Sequence, residues 1–154
     1  MAVSALRWFK AALVLQIILL AYWLAIEVLD LFPWNDLASR PASYDLRGSV
    51  ALNALLLLAC MLLFASGFRP LAMLSVAGYA AYLVWQLWIW WKPYALGADA
   101  PWRALHNESF SRTLKALPTF GAHLPPDAQH LALQLLILVT LLAAIVAVAR
   151  MRHL

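Results

Sequence analysis

Charge is what this chain has least of. Eleven lysines and arginines and seven aspartates and glutamates make up 12% of its 154 residues, about half the share of an ordinary soluble domain. Cysteine is nearly absent: Cys60 is the single one and lies in an apolar run, so no internal disulfide and no thiolate metal site can form. Several signatures are missing altogether. There is no G-x-S-x-G elbow, phosphate loop, dinucleotide fingerprint or H-E-x-x-H zinc helix. These absences exclude a disulfide-stapled secreted module and the common soluble enzyme classes.

Apolar residues fill the space, at 66% with a mean hydropathy of +0.81. A short chain buries only about two-thirds of its surface, so an aqueous core cannot hide this much. The composition predicts an all-α polytopic membrane protein, because only helices or closed barrels satisfy the backbone in lipid and these runs are too continuous for barrel strands. A span needs roughly 20 apolar residues. Four stretches qualify: 11–32, closed by Pro33; 48–67; 71–91, closed by Lys92-Pro93; and 129–149. The first is longer than a signal-peptide core and is read as a retained helix.

Together they form one membrane domain, 1–154, a four-transmembrane-helix bundle. With both termini inside, the inner flanks hold Arg7, Lys10, Arg69, Arg150 and Arg152 and no acid. The outer side holds Arg40, Arg47, Lys92, Arg103, Arg112 and Lys115, mixed with six acids. Raw counts do not decide the orientation; placement at the span ends favours N-in/C-in. A multi-pass protein of the cell's inner membrane is expected, with membrane lipid as its surroundings. Assembly into a homo-oligomer or a larger membrane complex is expected as well, and nucleic acid is not. The long outer loop, 92–128, carries apolar residues at Trp102, Leu105, Phe110, Leu114 and Leu117, at intervals that predict an interfacial helix within 101–117.

Each span carries one strongly polar residue at about the same depth. Glu27, Asn53, Gln86 and Gln134 each lie five residues inside the outer end of their span, or about 7–8 Å below the interface. Such residues are costly in lipid and face a bundle interior or a wet cavity. Asp30 and His130 each lie a turn further out, and Arg47 is the expected cation for Glu27. Above this layer crowd Trp34, Tyr44, Trp85, Trp88, Trp90, Trp91, Tyr94 and Trp102. An interfacial belt accounts for most of them. Four tryptophans within seven residues must nevertheless point around the whole helix, so some face inward. Small residues (Ala77, Gly78 and Ala81 in the third span, Ala143 and Ala147 in the fourth) predict close helix contacts.

These residues predict a binding or accessory component with a polar pocket in the outer half, under a tryptophan-rich lid. Glu27, Asp30, Arg47, Asn53, Trp85, Gln86, His130 and Gln134 would line the pocket. No cofactor or metal is expected, and enzyme activity is not the favoured reading. Two other functions compete: a proton- or cation-coupled transporter or channel subunit using Glu27, and a metal-dependent membrane enzyme using the outer-loop histidines His106, His123 and His130 with Glu108 and Asp127.

Overall fold

The computed structural model describes residues 3–40 and 47–151, with the side chains of Arg47 and Ser49 outside that description. These residues form five helices and no strand: α1 Val3–Val28, α2 Arg47–Ala65, α3 Arg69–Leu96, α4 Ala100–Ser109 and α5 Ala128–Arg150. α1, α3 and α5 are long and apolar enough to cross a membrane, which marks the chain as a membrane protein. α2 runs 19 residues, but its apolar part, Val50–Ala65, is shorter than the other three. Of the four expected spans, three therefore reach full length.

The long helices pack side by side in cyclic order: α1 against α2 and α5, and α3 against α2 and α5. Two apolar clusters fill the centre. Nearer the 92–127 loop, large side chains such as Trp23, Leu57, Tyr79, Leu133 and Ile137 interdigitate. Nearer the termini the core consists mostly of small residues, with Ala12, Ala72, Ala143, Ala144 and Ala147 around Phe64. Small side chains let helices approach closely where lipid offers no hydrophobic gain for association. The expected contact face on α5 is thus present, whereas Ala77 and Ala81 of α3 are exposed. Of that trio only Gly78 makes a close approach: a Cβ there would stand 2.6 Å from Cys60 Sγ on α2.

Helix ends differ from the sequence expectation in three places, each for a local reason. α1 stops at Val28, five residues before Pro33. Fully buried Asn35 folds back and donates to the carbonyls of Ile26 and Leu29, both at 2.8 Å, while its Oδ1 accepts from Leu31 N at 2.5 Å. A side chain satisfies the helix's orphan acceptors, so proline is not what ends it. α3 continues through Pro93 to Leu96; the proline costs one ladder bond without ending the helix. α4 covers only the first half of the expected 101–117 helix. It starts at N-cap Asp99, whose carboxylate accepts from Trp102 N, and ends where Phe110 turns inward.

Beyond α4 the loop folds onto the ends of the long helices. Leu114 N donates to Pro33 O at 2.7 Å and Ala128 N donates to Leu114 O at 2.8 Å. Arg112 pairs with buried Asp36 at 3.3 Å, joining the two loops.

Candidate functional site

At the loop end a cavity of about 660 Å³ opens between α2 and α3, closed on its far side by α1, α4 and α5. Glu27, Asn53, Trp85, Gln86 and His130, all expected at one site from sequence, line it together. Its floor includes Gly78, at the close approach to Cys60. Its mouth is bordered by Leu52 and Leu56 of α2 and Ala81 and Trp85 of α3, all exposed on the helix surface.

Two expected residues stand elsewhere. Asp30 lies past the end of α1, exposed, where its carboxylate accepts from Leu37 N at 3.3 Å; because α1 is shorter than expected, Asp30 does not continue its face. Gln134 is buried one layer behind the cavity. Its Oε1 accepts from Trp91 Nε1 at 2.8 Å and its Nε2 donates to Gln86 O at 3.5 Å, so it ties α5 to α3. The Arg47 side chain lies outside the described residues, as does Tyr44.

The cation found beside Glu27 is Arg40, whose Nη1 donates to Glu27 Oε2 at 3.1 Å. Sequence reasoning missed it because Arg40 sits in the first loop, thirteen positions away, and reaches the helix only when the loop folds back. Asn53 engages in polar interactions of its own. Gln86 and Tyr82 are both buried at the wall; neither the Gln86 Oε1 nor the Tyr82 hydroxyl makes a well-formed hydrogen bond. The Tyr82 hydroxyl has the Gln86 and Trp23 side chains as its polar neighbours.

Opposite this polar wall stands an aromatic one. Trp90 is buried and stacks on the His130 ring, with centroids 3.6 Å apart and planes 29° apart. Phe110 and Trp102 meet Trp90 edge-on at 5.1 and 5.4 Å. The tryptophans of α3 do point in different directions: Trp85 and Trp88 face outward, and Trp90 and Trp91 face inward. Phe110 and Trp102, expected on a membrane-lying helix face, instead serve the cavity. A second hollow of about 430 Å³, lined by Trp88, Lys92 and Asp99, shares Trp85, Ile89, Trp102 and Leu105 with the first.

His130 is held from behind. Asp127, fully buried, is the N-cap of α5. Its Oδ1 accepts from His130 N at 3.0 Å and from His130 Nδ1 at 2.6 Å. Its Oδ2 accepts from Gln129 Nε2 at 3.2 Å and lies 3.1 Å from the Thr113 hydroxyl. Burial alone would raise the Asp127 carboxyl, but the neighbouring imidazole, the two hydrogen bonds from His130 and the Lys115 ammonium outweigh it and hold the group below the usual aspartate value. Lys115 donates to Thr113 Oγ1 at 2.8 Å and to the Phe110 carbonyl. Burial lowers its ammonium against the pull of Asp127. A continuous polar chain, Lys115–Thr113–Asp127–His130, thus runs from the loop to the cavity wall.

The other two histidines among the described residues do not join it at a common centre. His123 donates from Nδ1 to Tyr94 O at 2.8 Å. His106 is buried in α4, where burial and then the Lys115 charge lower its imidazole. Among the described residues no three metal-ligating side chains gather. Gln16, Ser75 and Thr140 are fully buried in α1, α3 and α5 without hydrogen-bond partners; they lie deeper than the expected polar layer and sequence reasoning passed over them. Comparison with protein-family models, curated proteins and solved structures finds no match for this chain.

Proposed function

We propose that this chain is a four-helix, multi-pass protein of the inner membrane, with both termini on the cytoplasmic side, that binds an amphipathic, lipid-soluble small molecule in its outer half. One observation carries the reading: a cavity with a polar wall and an aromatic wall has its mouth between surface residues of two apolar helices. Leu52, Leu56, Ala81 and Trp85 face acyl chains if α2 and α3 span the bilayer, so a ligand enters sideways from lipid. Sites of this size and mixed lining suit ligands of drug-like dimensions. α4, with Trp102 on the cavity, lies at the outer interface as a cover.

Glu27 serves in this reading as a fixed polar anchor, since it is already joined to Arg40. That favours a binding role over a proton-coupled transporter cycling on Glu27. The dispersed histidines give the metal-enzyme reading no support.

Two experiments test the proposal. Protein purified into lipid nanodiscs is extracted and its bound small molecules are identified by mass spectrometry. A hydrophobic or amphipathic compound near one per chain, lost in the mouth-blocking variant Ala81→Phe, is the expected result; no compound beyond bulk lipid overturns it. For orientation, Ser4→Cys and Ser111→Cys are introduced separately into a Cys60→Ala background. An impermeant maleimide applied from outside intact cells labels position 111 and not position 4; the reverse pattern overturns the topology.

A further inference from the structure

Resting on the binding reading above, the geometry points to the class of ligand: we infer that the cavity takes a lipid whose head is a planar ring bearing a hydroxyl, a phenol or quinol, with that hydroxyl donating to His130 Nε2. Three observations converge on it. The first is how His130 is held. The Asp127 carboxylate accepts from its Nδ1 at 2.6 Å, and a carboxylate has no proton to give. In its neutral form the imidazole therefore carries its hydrogen on Nδ1 and presents a lone pair at Nε2, an acceptor whose tautomer the carboxylate sets.

The second is the surface around that acceptor. Trp90 lies flat against one face of His130, and Phe110 stands edge-on to it at 5.6 Å. Trp102 continues the aromatic wall. Flat rings gain from offset-stacked and edge-to-face contacts with such a wall, whereas a branched or purely aliphatic head would not. The third is the mouth, which opens among exposed Leu52, Leu56 and Trp85 and leaves an alkyl tail in the surrounding hydrocarbon. An aqueous solute meets neither the mouth nor the wall on favourable terms. No bond is made or broken; the inference concerns a hydrogen bond, a stacked ring and a tail.

The test uses a matched pair of probes, 4-decylphenol and its methyl ether 4-decylanisole, which differ by the donated hydrogen. Each is titrated into full-length protein in detergent and followed by native mass spectrometry. The phenol is expected to bind up to about tenfold more tightly, the worth of one hydrogen bond in apolar surroundings. His130→Phe, which keeps a ring against Trp90 and loses Nε2, is expected to level the two. In the wild type the ¹⁵N resonance of His130 Nε2 moves on adding the phenol and not the ether, a readout that needs no variant to fold. Equal binding of the two probes, or selectivity that survives His130→Phe, overturns this inference and leaves the binding cavity standing. No saturable binding of either probe overturns both.

Discussion

Glu27 and Arg40 form an ion pair at 3.1 Å whose side chains are only 15% and 12% exposed. The pair pins the first loop to the end of α1 and supplies the most polar element of the cavity wall. Truncating one partner strands a mostly buried charge. Arg40→Ala is expected to destabilise the protein by about 1–3 kcal/mol. Glu27→Ala should cost a similar amount, and the double variant less than the sum of the two, as for coupled neighbours. Thermal unfolding in detergent measures all three; strict additivity would show that the contact contributes nothing.

Asn35 makes three hydrogen bonds to the backbone around the end of α1 while fully buried. Asn35→Ala leaves those groups unsatisfied away from water, and about 2 kcal/mol of stability goes with them. Amide exchange around residues 26–31 should quicken markedly in the variant. Unchanged exchange there would refute the capping role.

Asp127 links pH to stability with a definite sign. Its folded-state pKa lies below the ordinary aspartate value of 3.8. The unfolded chain thus binds its proton first as acid is added. The contribution is complete above that ordinary value and is lost as pH falls through the lower folded one. Asp127→Asn should therefore have a lower Tm than the wild type at pH 6, with the gap narrowing once pH drops below about 4. A gap that stays constant down to pH 2 contradicts the assignment.

Gly78 touches Cys60 closely enough that an added methyl group meets its sulfur at 2.6 Å. Gly78→Ala is expected to cost about 1 kcal/mol through overpacking. Cys60→Ala in the same chain makes room for that methyl group, so the double variant should unfold above Gly78→Ala. Failure of the second change to recover stability would place the strain elsewhere.

The polar layer was legible because Glu27, Asn53 and Gln86 interrupt apolar helices, and counting residues along a helix fixes their relative height. Gln134 shares that height, yet its amide is taken up by Trp91 and the Gln86 carbonyl, a distinction that depends on rotation about the helix axis. Arg40 was not legible: its partner is set by the path of a loop, and loops carry no periodicity. Asp30 misled for the same reason, since it was placed on a helix that had already ended. Trp90 and Trp85 look alike in a run of tryptophans, and packing alone puts one under His130 and the other on the exposed surface of α3. The role of Asp127 needed Thr113 and Lys115 to fold back from α4, which the intervals of the expected 101–117 helix did not foretell.

Pro93 sits inside α3 without ending it and has no amide hydrogen to offer. The carbonyl of Ile89, one turn earlier, is deprived of its usual helical donor, and Ile89 borders both hollows. That oxygen belongs to the main chain, so side-chain replacement at position 89 does not return its donor. Only an exchange of the imino acid itself, such as Pro93→Ala, restores a donor and erases the acceptor.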